Sequence, residues 1–204
     1  MRPSAELAAL ETAVAGAVDA ASAAGRTPII LIDGPSGAGK SSLADRLLAV
    51  WPAAGRPRLV RMDDLYPGWD GLDAGSEAVG RDLLEPLRAS GTGSWQRWNW
   101  TEHRPAGRSV VSGHDPLVVE GCGSLSRCNA ALADLTVWLQ ADDALRKERA
   151  IARDGAAFAA EWDRWQEQFE RFVAREHPLA LATLVLDVTA VDLVDPSRGT
   201  TVES

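Results

Sequence analysis

Ile29-Ile30-Leu31-Ile32-Asp33-Gly34-Pro35-Ser36-Gly37-Ala38-Gly39-Lys40-Ser41-Ser42 decides the fold. The apolar run Ile29 to Ile32 is short enough for a buried strand and has no polar alternation, as expected of a strand covered on both faces. Glycines then punctuate the chain, and helical spacing resumes from Ser41 to Val50. Gly34 to Ser41 fits G-x-x-x-x-G-K-[ST] at every position, between the strand and the helix that this pattern requires. Such glycines let backbone N–H groups turn inward onto phosphate oxygens, and the following helix adds its positive end. The stretch Gly34, Pro35, Ser36, Gly37, Ala38, Gly39, Lys40, Ser41 and Ser42 is therefore the expected ATP-binding segment. Lys40 reaches the β- and γ-phosphates and Ser41 offers a hydroxyl to Mg²⁺.

Outward from this stretch, the chain alternates strands and helices. An amphipathic helix is expected over residues 4 to 24, from Leu7, Leu10, Val14 and Val18 at helical spacing. Further strands are expected at Arg58 to Met62, Leu117 to Val119, Leu135 to Leu139 and Thr183 to Val188. Residues 63 to 76, rich in Asp, Gly and Pro, read as a loop before a helix at Glu77 to Ala89. Gly91 to Pro116 reads as short strands and loop. Asp142 caps a helix reaching Arg153, and a Trp-rich helix covers Ala156 to Arg175. Alternation of this kind predicts an α/β three-layer sandwich: a mostly parallel five-stranded sheet, helices on both faces and a small lid. The expected organisation is one domain over 1–195, with an N-terminal helix at 1–25, an acceptor-side segment at 63–116, a lid and following helix at 146–175, and a mobile tail at 196–204.

Composition narrows the function. The 204 residues carry 21 Lys and Arg against 29 Asp and Glu, a net charge of −8, which disfavours a surface that must neutralise many nucleic-acid phosphates. Glu6, Glu11 and Asp19 interrupt the N-terminal stretch, and no apolar run nears the ~20 residues of a membrane span, so a cytoplasmic protein is expected. Cys122 and Cys128 lack a zinc or redox spacing and read as two buried thiols.

Open parallel sheets bind ligands beyond the carboxyl ends of their strands. Asp63 follows one strand and can orient or deprotonate a substrate hydroxyl, or hold Mg²⁺; Glu120 ends another and can hold Mg²⁺. Arg149 and Arg153, four apart, share a helix face and can clamp a polyphosphate, with Arg146 beside them. Each also reads as an ordinary loop acid or solvated cation. Eight Trp stand against one Tyr and three Phe. Trp162, Trp165, Phe169 and Phe172 repeat at core spacing, whereas Trp69, Trp95, Trp98 and Trp100 sit in aperiodic segments, where they either stack on a flat or apolar acceptor or close the cover over the sheet.

Gly34 to Ser41, Asp63-Asp64-Leu65-Tyr66, Val118-Val119-Glu120-Gly121 and Arg149 to Asp154 together resemble the uridine kinases and their relatives, the phosphoribulokinases and pantothenate kinases. The likeness runs over residues 27 to 190. It implies ATP and Mg²⁺ as cofactors, Asp63 as catalytic base, Tyr66 as an aromatic residue beside the acceptor and Glu120 near Mg²⁺. It implies that Trp98, Trp100 and His103 contact a nucleobase, with Asn99 standing where the family has an acid. The resulting expectation is a kinase transferring the γ-phosphate to a hydroxyl of a nucleoside or similar polar metabolite. Lys40, Asp63, Arg149 and Arg153 would be its catalytic residues, and a homodimer its assembly. Two alternatives stay open: an ATP-binding switch without a small acceptor, and a kinase for an antibiotic or sugar hydroxyl. A guanine-specific switch is disfavoured because no N-K-x-D element occurs.

Overall fold

A computed structural model describes residues 5–191. In chain order the elements are α1 (Ala5–Ala23), β1 (Ile29–Asp33), α2 (Lys40–Ala49), β2 (Arg58–Arg61), a 3-10 turn (Met62–Asp64), α3 (Leu72–Ala78), a π-helical stretch (Val79–Leu84) and α4 (Glu85–Ser90). There follow β3 (Thr92–Asn99), β4 (Arg104–Ser112), β5 (Leu117–Glu120), α5 (Arg127–Ala130), β6 (Leu135–Gln140), α6 (Asp143–Glu176), α7 (Pro178–Leu181) and β7 (Leu184–Asp187).

Five strands form one sheet in the order β2-β5-β1-β6-β7, and all four pairings are parallel. Its two faces follow from the period-two alternation of strands. Ile30 and Ile32 of β1, Val118 of β5 and Val137 and Leu139 of β6 bury against α1 and α2. Ile29 and Leu31, Leu117 and Val119, and Trp138 point the other way, towards Leu83, Phe169 and Phe172. Both faces are covered, which is why β1 and β5 are apolar up to their last residues, Asp33 and Glu120. Leu7, Leu10, Val14 and Val18 form the buried stripe of α1, as their spacing predicts.

β3 and β4 make a separate antiparallel hairpin with a bulge between Gln96 and Trp98. Gly93 lets it lie against the π-helical stretch, since a Cβ there would collide with the Leu83 carbonyl oxygen.

Helix begins at Leu72, five residues before the position expected from the sequence. Asp73, Gly75 and Ser76 look like turn residues, but Gly75 is needed for packing: a Cβ there would stand 2.6 Å from the Tyr66 ring. The two helices expected either side of residue 155 are one element broken at Gly155, whose φ of 71° and ψ of −159° are not helical. The tail expected at 196–204 lies outside the described residues. Among the described residues no helix is long and apolar enough to cross a membrane.

Phe172, fully buried, stacks on Phe169, which stacks on Trp138 of the sheet, with centroids 6.4 and 6.1 Å apart. Phe172→Ala should therefore lower the unfolding free energy by about 3–5 kcal/mol. Urea denaturation measures this, and a loss below about 1 kcal/mol would show that α6 is not anchored through this ring.

Candidate active site

The carboxyl ends of β1, β5 and β2 lie side by side, with Ile32 and Arg61 both in register with Glu120. This brings together Asp33, Glu120 and, two residues beyond Arg61, Asp63.

The loop from Gly34 to Gly39 curls here with φ of 148°, 78° and 93° at Gly34, Gly37 and Gly39, values that L side chains rarely adopt. Two of these glycines are required by close approach as well. A Cβ on Gly34 would collide with the Leu139 carbonyl oxygen, and one on Gly37 with that of Arg146. The loop is thus wedged between β6 and the first turn of α6. The Arg146 guanidinium donates to the Ser36 carbonyl at 3.0 Å and pairs with Asp143 at 2.6 Å.

Asp33 is fully buried and accepts three backbone N–H bonds: Gly34 at 2.6 Å, Gly123 at 3.1 Å and Leu125 at 2.8 Å. Burial pushes its pKa up to about 6, against the pull of Lys40 and these donors. Lys40 donates its ammonium to the carbonyls of Gly34 at 2.7 Å and Pro35 at 3.0 Å, and meets Cys122 Sγ at 3.4 Å.

Glu120 pairs with Arg61 at 3.1 Å, and Arg61 also holds Asp45 at 2.7 Å. Burial raises the Glu120 pKa, as does the nearby charge of Asp63; Lys40, Arg61 and a hydrogen bond with Ser41 oppose the rise. Ser41 and Glu120 therefore present hard oxygens side by side, a donor set that suits Mg²⁺. Among the described residues no three His, Cys, Asp or Glu side chains are grouped to hold a metal ion alone.

A cavity of about 310 Å³ joins the loop residues Ser36, Gly37, Gly39, Lys40 and Ser41 to Asp63, Glu120 and an aromatic wall. Solvent reaches Asp63 through this cavity, while its walls crowd the carboxyl and raise its pKa above 3.8; Arg153 and Lys40 hold the rise in check. Trp100 fixes the Asp63 backbone, its indole N–H donating to the Asp63 carbonyl at 2.8 Å. Tyr66 lines the cavity, but its hydroxyl is committed to the Cys122 carbonyl at 2.7 Å. Arg153 lines it too, held by Asp154 through two hydrogen bonds of 2.7 Å.

Of the expected ATP-binding segment, Gly34, Pro35, Ala38 and Ser42 do not line this cavity, and three of the other expected site residues lie outside it as well. Arg149 is half-buried on α6 but does not line it; Arg146 is the arginine that meets the phosphate loop. Trp98 faces Pro105 across the hairpin and packs beside Gly68. His103 is exposed at the hairpin tip with φ 49°. Asn99 caps that same turn through its bonds with Thr101 and Glu102.

Other cavity residues were not assigned to the site from sequence. Cys122 is buried as expected and meets Lys40, whereas Cys128, also expected to be buried, is exposed on the short helix α5. Trp165 belongs to the core stripe, yet it lines the cavity together with Phe158 and Trp69. Phe158 extends that stripe by one turn next to Arg153, and that continuity was the signal for it. Trp95 is buried in the core instead.

No protein-family model matches the chain, and no curated protein matches it in sequence. Solved structures do match in fold. A protein from Bacillus stearothermophilus described as a possible uridine kinase superposes with a TM-score of 0.58 at 17% identity, covering 84% of this chain and 98% of that one. A protein from Silicibacter sp. TM1040 described as a candidate fructose transport system kinase gives a TM-score of 0.63 at 17% identity, covering 88% and 98%. The likeness is one of fold: the chain has the kinase-like α/β fold of these two proteins, the fold that the sequence resemblance implied.

Asp33→Asn turns one acceptor oxygen into a donor facing a backbone N–H. It should lower the unfolding free energy by about 1–3 kcal/mol. Denaturation at neutral pH measures this, and unchanged stability would show that the three bonds do not hold the loops.

Proposed function

We propose that the protein is an ATP-dependent phosphotransferase that moves the γ-phosphate to a hydroxyl of a small molecule. The observation that carries this reading is the shared cavity: the phosphate loop with Lys40 and Ser41 and the carboxylate of Asp63 line one space of about 310 Å³. The kinase-like fold supports it.

The roles follow from chemistry. Loop N–H groups and Lys40 hold the phosphates, and Ser41 and Glu120 hold Mg²⁺. The ion supplies neutralisation of charge on the phosphate oxygens. Asp63, ionised, takes the acceptor's hydroxyl proton as the oxygen attacks phosphorus. Arg153, on the wall near Asp63, adds positive charge for the transferring group. Arg146 positions the loop rather than touching substrate. Of the three residues expected to contact a nucleobase, Trp100 lines the cavity, whereas Trp98 and His103 do not.

Lys40→Ala should cut turnover by about a hundredfold or more. Asp63→Asn should lower kcat by about 10²–10⁴-fold with little change in ATP affinity. Because Asp63 must be ionised to accept a proton and its pKa is raised, the acid limb of kcat should lie above pH 3.8, with activity falling as pH drops through it. Steady-state kinetics across pH measures both. Full activity of Asp63→Asn, or kcat flat to pH 4, would remove Asp63 as the base.

A further inference from the structure

The cavity is poor in free hydrogen-bonding groups. Beyond the phosphate loop and Asp63, its charged side chains are Glu120, Arg153 and Asp154. Glu120 is engaged by Arg61 and Ser41, and Arg153 and Asp154 engage each other. No Asn, Gln, His or Thr side chain lines it among the described residues.

What it offers instead is aromatic surface. Trp69 and Trp100 are half-buried, with centroids 4.8 Å apart and planes at 52°. Phe158 stacks behind Trp69 at 5.6 Å and 21°, and Trp165 meets it edge-on at 6.3 Å and 84°. Long-range bonds hold this wall. Gln168 donates to the Trp69 carbonyl at 2.6 Å, and Arg164 pairs with Asp70. The Trp100 N–H is already spent on Asp63, the residue that faces the acceptor hydroxyl.

We infer that the acceptor is an alcohol carried on a flat, weakly polar ring, which lies against Trp69 and Trp100 while its hydroxyl meets Asp63. This rests on the phosphotransferase reading. A polyol is the poorer partner, because no Asn, Gln, His or Thr side chain is there to match its further hydroxyls, and Arg153 and Asp154 are already paired with each other. A cation is also the poorer partner. The rings touch one another to make a continuous wall rather than enclosing a point, and Lys40 and Arg153 line the same cavity. The step balances with ATP alone. The acceptor O–H bond breaks and its proton goes to Asp63, and the oxygen forms a bond to the γ-phosphorus. The bond from that phosphorus to the β–γ bridging oxygen breaks, leaving ADP and a phosphate monoester.

The test measures ADP formation by the full-length protein with Mg-ATP, against 2-phenylethanol and indole-3-ethanol on one side and fructose and uridine on the other. The ring-bearing alcohols should raise the rate over the acceptor-free rate and show kcat/KM at least about tenfold above either polar acceptor. Trp69→Leu should raise the KM for 2-phenylethanol about ten- to a hundredfold while leaving that for ATP unchanged, and Trp69→Phe should recover most of the loss. Preference for fructose or uridine overturns the inference and leaves the phosphotransferase reading standing. So does a Trp69→Leu protein with unaltered KM for 2-phenylethanol. If no acceptor raises the rate, the phosphotransferase reading falls and calorimetric titration decides the pocket. Binding of 2-phenylethanol at least about tenfold tighter than fructose upholds the ring-binding wall, and equal or absent binding overturns it.

Discussion

The site depends on one buried carboxylate. Asp33 ends the central strand and accepts N–H bonds from its own neighbour Gly34 and from Gly123 and Leu125 beyond β5. Burying an acid here is costly, and the cost is offset by these bonds and by Lys40. The consequence is that the phosphate loop and the loop after β5 are tied to the same carboxylate. Cys122, between Glu120 and Gly123, is thereby carried onto Lys40, and its carbonyl becomes the partner that orients Tyr66. One interaction at the end of β1 thus sets the positions of Lys40, Glu120 and Tyr66 together.

Features written in local sequence were legible in advance. The four apolar residues of β1, the glycine spacing of the loop and the stripe of α1 each follow from period or motif, so the sheet, its strand ends and the pairing of Lys40 with Asp63 and Glu120 around one cavity could be anticipated. Features set by long-range packing were not. Gly75 resembles a turn residue unless its contact with Tyr66 is known. Arg149 and Arg146 look equivalent until the wedge of Gly37 against Arg146 fixes the phase of α6. Which tryptophans face the cavity depends on Gln168 and Arg164 holding the loop at Trp69 and Asp70, nearly a hundred residues away in sequence.

The charge balance takes on local meaning in this arrangement. A chain of net charge −8 that holds a polyphosphate must gather its positive groups at one place. Lys40, Arg61, Arg146 and Arg153 stand around the strand ends, while much of the remaining charge is engaged in exposed pairs such as Arg171 with Glu167. Such exposed pairs contribute little to stability, and the buried set around Asp33 and Glu120 is where electrostatics shapes function.

The central claim is that the cavity delivers phosphate from ATP to a carbon-borne hydroxyl at Asp63. Phosphorus-31 NMR of the protein incubated with Mg-ATP and 2-phenylethanol tests it most directly. The account predicts a new phosphate-monoester resonance that grows in step with ADP and is absent for Asp63→Asn. ADP accompanied only by inorganic phosphate, at the same rate with and without the alcohol, would contradict it.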